Sequence, residues 1–445
     1  MDITENKRDL IPPISIIVLL AVGIRLAIAL LFTPPLLSDE IDYVTLGKSI
    51  VEGTGMSISG MPTASRAPAY PAFIALIFSL FDHSMTAFRI FQAVADSITC
   101  YLIFVFCRRI FSLHTAFTAS AVYALFPGNA FYVSIFMTEI VFTTLLMTAL
   151  VLVTSRTLYS SIALRSILGG ILGVLALMKP SAAVIILFFF IWEWYRSQSI
   201  RQTLKHYLII AAGFAVIVSP WMIRNGILFD HFSLTSNGGV NFWIGHNDQA
   251  TGSFRYYAEN NPLENISGEF ERSQFALNEG LNFIIAHPLR ELQLIVLKFV
   301  HLFEPDFALM QSLLYRPEWG TYSRALLIYQ EFPPLISLSL HALSAGIIIT
   351  GLWGMIFAGG SLNRNLTLLS IIIIGWTGIH VIFFSVARFR IPIMPLLIIM
   401  GSYSFEAWRS KTLTITPLRR YLFIFFSLLL AGSWLAIFGL IYLVQ

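Results

Sequence analysis

Two adjacent carboxylates, Asp39 and Glu40, follow the first long apolar run of the chain in the stretch Leu37-Ser38-Asp39-Glu40-Ile41-Asp42-Tyr43. Farther along the same loop come Gly53-Thr54-Gly55 and then Arg66-Ala67-Pro68-Ala69-Tyr70-Pro71. A carboxylate and a guanidinium in one loop are the parts that group transfer from a phosphate ester needs. The carboxylate takes the proton of an attacking hydroxyl, an effect worth about 10²–10⁴ in rate. The guanidinium stays charged and matches the geometry of a departing phosphate. Phosphate already leaves as a weak base, so no second carboxyl is required as general acid, in contrast to glycoside hydrolysis. On residue types alone, a helix-capping Asp39 in a solvated loop and a surface Arg66 account for the same letters equally well.

The segments that must position these residues are those of a membrane protein. Of 445 residues, 57% are hydrophobic and only 12% charged, and mean hydropathy is +0.77. Such values lie far from the soluble average. Runs of about 20 apolar residues, enough to cross a bilayer, recur along the chain. The fold class is therefore all-α, a polytopic transmembrane helical bundle, and its surroundings are membrane lipids rather than nucleic acid. The first run, Ile14 to Phe32, follows Lys7-Arg8 and ends in Thr33-Pro34-Pro35 without a small-x-small cleavage pattern, so it reads as a retained span. Arg25 within it would cost about 2.5–3.5 kcal/mol at mid-bilayer and must face the bundle or snorkel outward. Cys100 and Cys107 share one predicted helix, where seven residues separate their Cα atoms by roughly 10 Å, too far for a disulfide. They read as packing residues. Asn265-Ile266-Ser267 matches a glycosylation sequon too short to carry weight.

Candidate spans lie near residues 12–33, 84–107, 115–134, 138–155, 162–178, 181–195, 207–222, 333–357, 366–386, 391–408 and 421–443. With a cytoplasmic N-terminus, the basic residues Arg108-Arg109, Arg156 with Arg165, Arg196-Arg201-Lys205, Arg364 and Arg409-Lys411-Arg419-Arg420 gather on the cytoplasmic side. Two loops face the exterior, residues 34–83 and 223–331, and hold most of the acidic residues. The run His287–Phe303 carries Arg290, Glu291, Lys298 and His301. It reads, with residues from 269 onward, as amphipathic helix near the outer interface, giving about eleven spans, or thirteen. Ala69–Phe81 is too short to span, so the first loop is expected to carry membrane-lying helices. No internal repeat or low-complexity linker divides the chain, and residues 1–445 read as one domain.

Several short motifs follow one another along the chain. After Asp39-Glu40-x-x-Tyr43 and Arg66-x-Pro-x-Tyr-Pro come Arg89-x-x-Gln92, Thr138-Glu139 and Met178-Lys179-Pro180. Then follow Pro220-Trp221-Met222-Ile223-Arg224-Asn225, Gly245-His246-Asn247 and Arg388-Phe389-Arg390-Ile391-Pro392-x-x-Pro395. In this order and over nearly the whole length, the chain resembles the glycosyltransferase C superfamily. More narrowly, it resembles the bacterial dolichyl-phosphate-mannose protein mannosyltransferase-like and aminoarabinose-transferase-like membrane enzymes. The resemblance implies an inverting glycosyltransferase that uses a polyprenyl-phosphate sugar donor and a protein, lipid or glycan acceptor. It also implies a bacterial inner membrane, with the site facing the periplasm or exterior. By position, Asp39 falls in the catalytic acidic place with Glu40 beside it, and Tyr43 follows. Glu139 corresponds to a second acidic position where aspartate is common, so its role is less defined. Arg66 stands where related enzymes have lysine, consistent with donor phosphate, and Arg388 and Arg390 fall at an arginine-proline motif suited to the lipid phosphate.

Each of the other polar residues has a plainer reading. Arg224 at a helix end serves equally as a snorkelling anchor or a donor-binding group. Lys179 reads as an interfacial anchor. Arg388 and Arg390 sit opposite to the side the charge bias favours, which points to function. Arg89 and Asp96 lie seven residues apart on one helix face and read as structural polar contacts in the bundle. His246 and His301 lack a ligand-spaced cluster, so no metal site is assigned. The one cofactor this chemistry would admit is a divalent ion shared between acidic side chains and a phosphate. The alternatives to an enzyme are a lipid-linked sugar transporter or flippase and an envelope glycan assembly protein. A transporter predicts repeats and mid-membrane polar residues.

Overall fold

The computed structural model describes residues 7–255, 261–304, 334–358, 364–411 and 415–442. The second loop is therefore seen only up to residue 304, and the expected stretch 305–331 lies outside the described residues. The chain is almost wholly helical: α1 (Lys7–Leu31), α2 (Asp39–Val51), α3 (Ala69–Leu80), α4 (Met85–Ile110), α5 (Leu113–Leu125), α6 (Pro127–Ala130), α7 (Glu139–Val153), α8 (Ile162–Met178), α9 (Ile185–Ser197), α10 (Ile200–Phe229), α11 (Gly238–Ile244), α12 (Glu269–Ala286), α13 (Pro288–Leu302), α14 (Pro334–Ala358), α15 (Arg364–Ile382), α16 (Met394–Arg409) and α17 (Pro417–Tyr442). A small antiparallel hairpin, β1 (Ser57–Ile58) with β2 (Met61–Pro62), pairs Ser57 with Pro62 in the first loop.

Every expected span falls on helix. Among the described residues, six helices are long and apolar enough to cross a membrane by length and composition: α1, α4, α10, α14, α16 with the turn before it, and α17. Others, including α7, α8 and α15, are apolar but shorter. Three expected spans are interrupted where proline removes an amide donor. Pro127 divides 115–134 into α5, α6 and a 3-10 turn, Phe131–Ser134. Pro180 puts a 3-10 turn ahead of α9, and Pro392 lies in the 3-10 turn Ala387–Ile393 ahead of α16. Serines mark several starts: Ser84, Ser112 and Ser161 accept from the amides of Ala87 (3.1 Å), Thr115 (3.0 Å) and Leu164 (3.2 Å). Large apolar side chains left exposed along α1 and α17, among them Leu19, Leu31, Tyr421, Phe425 and Leu428, are lipid-facing surface, and the protein is an integral membrane protein.

Helices approach closely where residues are small. A Cβ at Gly169 would meet the Ile210 carbonyl at 2.0 Å, and one at Gly213 would meet the Ser166 carbonyl at 2.4 Å, so α8 and α10 cross almost backbone to backbone. Arg25 faces the bundle, fully buried, with its Nε donating to Asp96 Oδ2 (2.8 Å) and its Nη2 to the Tyr123 carbonyl (2.9 Å). Its Nη1 also donates to the Ala124 carbonyl, and the Tyr123 hydroxyl donates to Asp96. Asp96 thus answers Arg25 and not Arg89, the residue with which it shares a helix face. The two cysteines are buried and free.

Removing one partner of a buried pair strands the other charge. Asp96→Leu is expected to lower stability by about 3–5 kcal/mol, with Arg25→Met/Asp96→Leu recovering most of the loss. Thermal unfolding of the detergent-purified protein measures both.

Candidate active site

At the end of the bundle where α1 and α8 finish and α4 and α7 begin, the first loop folds back as α2, the hairpin and α3. Ser38 at the N-cap of α2 makes no side-chain capping bond, and Asp39 is the first residue of the helix. Its carboxylate is held by two arginines. Arg66 Nη2 donates to Oδ1 at 2.6 Å, and Arg388 Nη2 donates to Oδ2 at 2.5 Å. Arg66 also donates from Nη2 and Nε to Asp42 Oδ2, at 2.9 and 3.2 Å, a partner that sequence reading passed over. All three groups of this central cluster stay partly open to solvent: Asp39 is 20% exposed, Arg66 23% and Arg388 24%. Burial alone would raise the Asp39 carboxyl, but the charges of Arg388 and then Arg66 outweigh it and bring it down to about 2. Burial likewise opposes the Arg66 charge, and Asp39 overcomes it to hold that guanidinium above its ordinary value.

Glu40 goes elsewhere. It is buried, and its carboxylate accepts from the amides of Phe136 (2.6 Å) and Leu37 (3.1 Å). Burial holds its pKa above the ordinary value against those two bonds. The neighbouring carboxylates therefore divide: Asp39 faces the arginines, while Glu40 ties the first loop to the turn before α7. The same turn is held by Arg89, which donates to the Ser134 carbonyl (2.9 Å), and by Gln92, which donates to the carbonyls of Val133 (3.1 Å) and Ile135 (2.8 Å). Tyr43 lies under Arg66, 5.6 Å from guanidinium to ring, and edge-on to Tyr70 at 5.0 Å. Burial pushes its hydroxyl up to about 12.

A second ion pair adjoins the first. Glu139 opens α7, and Lys179 Nζ donates to its Oε1 at 2.8 Å. Lys179 is thus a partner of Glu139 rather than a free interfacial anchor. Lys179 and Arg388 both lie over the Phe389 ring, at 5.2 and 5.4 Å, and the imidazole of His380 packs on it at 4.9 Å. His380 was invisible in the sequence. The start of α7 and the end of α8 lie at one end of adjacent antiparallel helices, and that was the signal for the Glu139–Lys179 pair. Arg388 keeps Nε buried without a hydrogen-bond partner among the described residues, and its Nη1 reaches only the Met137 sulfur at 3.4 Å. A guanidinium with donors to spare beside a carboxylate is a site that can accept an anion.

Two arginines of the sequence reading are not brought to Asp39. Arg390 is fully buried and donates to the carbonyls of Leu302 (3.0 Å) and Glu304 (2.5 Å) at the end of α13. Arg224 donates to the carbonyls of Thr63 (2.9 Å) and Met56 (3.1 Å) and stacks over Trp221 at 4.6 Å, clamping the hairpin. His246 and His301 are also engaged by neighbours. Lys298 Nζ lies 2.8 Å from His246 Nε2 and 3.1 Å from Glu291 Oε1, and His301 Nδ1 lies 2.7 Å from Glu304 Oε2. Among the described residues, no group of three His, Cys, Asp or Glu side chains is placed to hold a metal ion.

Because the Asp39 pKa is depressed in the folded state, its contribution to stability is complete above about pH 4 and is lost as pH falls toward 2. Thermal midpoints recorded from pH 6 to pH 3 are expected to fall more steeply for the wild type than for Asp39→Asn, which has no such carboxylate to protonate.

Known proteins provide an independent comparison. A family model described as dolichyl-phosphate-mannose-protein mannosyltransferase matches residues 65–223, less than half of the chain. No curated protein matches in sequence. Among solved structures, ArnT from Cupriavidus metallidurans bound to undecaprenyl phosphate superposes with a TM-score of 0.53 at 12% identity, covering 94% of this chain and 63% of that one. The oligosaccharyltransferase of Archaeoglobus fulgidus tethered to an acceptor peptide gives 0.51 at 10% identity, covering 95% and 54%. The Archaeoglobus fulgidus enzyme AglB in complex with an inhibitory peptide and a dolichol-phosphate gives 0.50 at 11%, covering 95% and 55%. The chain thus spans less than two thirds of the length of the solved structures it matches. In sequence over residues 65–223, and in fold over nearly its whole length, the chain resembles the glycosyltransferases of the C superfamily.

Proposed function

We propose that the protein is an inverting membrane glycosyltransferase that moves a sugar from a polyprenyl phosphate, of the undecaprenyl or dolichyl kind, to a hydroxyl of a protein, lipid or glycan acceptor. The observation that carries this reading is the Asp39 carboxylate gripped by Arg66 and Arg388. Two guanidinium groups converging on one anion form a cradle for a lipid-linked phosphate, and Arg388 has a further buried donor to give it. The solved proteins of like fold include one bound to undecaprenyl phosphate and one to a dolichol-phosphate and a peptide, which supports a donor of this class. The site opens to the exterior, on the side opposite the basic residues of Arg108-Arg109 and Arg196-Arg201-Lys205.

In the free protein, a carboxylate with a pKa of about 2, held by two cations, is a poor base. Donor phosphate resolves this by taking the arginines for itself. Asp39, relieved of its partners, returns toward an ordinary carboxylate and accepts the proton of the acceptor hydroxyl. The acceptor oxygen forms its bond to the anomeric carbon as the bond from that carbon to the phosphate oxygen breaks. The electron pair leaves on the phosphate, where Arg66 and Arg388 stabilise it. Attack in line with the leaving phosphate inverts the anomeric centre. Lys179 and Glu139 border the same space and are placed to contact donor sugar or acceptor.

Purified protein given a panel of polyprenyl-phosphate sugars is expected to release free polyprenyl phosphate with at least one of them. Asp39→Asn is expected to lose about 10²-fold or more of that rate. Release undiminished in Asp39→Asn would remove Asp39 from the chemistry. Movement of the donor across a bilayer without cleavage would favour a transporter.

A further inference from the structure

Arg66 owes its place to a part of the chain that never touches Asp39. The three residues ahead of it, Thr63-Ala64-Ser65, are stitched to the second loop by side chain and backbone. Glu269, the first residue of α12, accepts from the Ala64 amide through Oε1 at 2.8 Å and from the Thr63 hydroxyl through Oε2 at 2.8 Å. Asn237 Nδ2 and Thr235 Oγ1 donate to the Ser65 carbonyl at 2.9 and 3.1 Å, and the Ser236 amide donates to the Ala64 carbonyl at 3.0 Å. Arg224 adds its bond to the Thr63 carbonyl. Glu269 is itself fixed, because the next residue, Phe270, is buried against Phe229 and stacks on His231 with centroids 4.5 Å apart.

We infer that Glu269 is a positioning residue for the donor phosphate, acting through Arg66 by pinning the backbone that carries it. The inference rests on the reading of Arg66 as a ligand of that phosphate. A bidentate carboxylate fixes both the path of this irregular backbone and its rotation. Asp42 holds the guanidinium from one side, and Pro68 with the start of α3 limits the chain on the other. Glu269 closes the remaining freedom. In Glu269→Gln, the amide oxygen still accepts from the Ala64 amide and the new NH2 faces the Thr63 hydroxyl, so two charge-assisted bonds become neutral ones of about half the strength while volume is unchanged. The backbone ahead of Arg66 then loosens, and a guanidinium displaced by a fraction of an ångström loses the two-point fit to phosphate.

The test is saturable binding of undecaprenyl phosphate to the full-length protein in nanodiscs, for wild type, Glu269→Gln, Arg66→Gln and the double variant. Glu269→Gln is expected to weaken binding about tenfold, Arg66→Gln by at least as much, and the double variant no more than Arg66→Gln alone. A purely structural role would instead lower the thermal midpoint and multiply with Arg66→Gln. Binding by Glu269→Gln equal to wild type, or fully multiplicative losses in the double variant, overturns the positioning role while leaving the donor reading standing. Wild-type binding by Arg66→Gln overturns the donor reading of Arg66, and this inference with it. Should Glu269→Gln fail to fold, Thr63→Val removes one of the two bonds, and the same non-additivity with Arg66→Gln is expected.

Discussion

A carboxylate shared by two guanidinium groups, one 27 residues away and the other 349, is the interaction on which the arrangement of this protein's loop-bearing end depends. It fastens three separate pieces of chain to one point. Asp39 comes from the start of α2, where the helix N-terminus favours a negative charge. Arg66 comes from the loop ahead of α3, and Arg388 from the 3-10 turn ahead of α16. Near an apolar bundle, such charges are costly unless paired, and Asp39 answers both arginines. Arg388 keeps a buried Nε without a hydrogen-bond partner among the described residues.

The surroundings hold that point steady without taking part in it. Glu40 spends its charge on two backbone amides and so joins the first loop to the turn before α7. Arg89, Gln92 and Arg390 do the same with carbonyls, using side chains whose types suggest catalysis to cap irregular backbone inside the bundle. Non-helical backbone beside a membrane must find such partners. The Pro220–Asn225 motif follows the same logic: Trp221 Nε1 donates to the Leu234 carbonyl at 2.9 Å, and Asn225 Nδ2 to the Ser233 carbonyl at 2.8 Å, folding the second loop back over the first.

The helices were readable because an apolar run of spanning length has few other ways to satisfy its backbone. Arg25 had either to face the bundle or to snorkel outward, and it faces the bundle. Which acid meets which base was less readable, because pairing is set by three-dimensional approach between distant segments. Arg66 and Arg388 stood out in the sequence as candidates for an anion, and both reach Asp39. Arg390, two residues from Arg388, points to the end of α13, because a 3-10 turn does not repeat its direction over two residues. Lys179 looked solitary only because Glu139 is 40 residues away. Lys298 reads in the sequence as one charge of an amphipathic interfacial helix, and its burial against His246, 52 residues away, is set by tertiary approach.

On the proposed account, the free protein holds Asp39 in check with the same arginines that will bind the leaving phosphate, so the base is released only when the donor has arrived. A structure of the protein with undecaprenyl phosphate bound tests this most directly. The phosphate is expected between Arg66 and Arg388, with the Asp39 carboxylate turned away from both. A phosphate seated elsewhere, with both Asp39–arginine contacts intact, would contradict it.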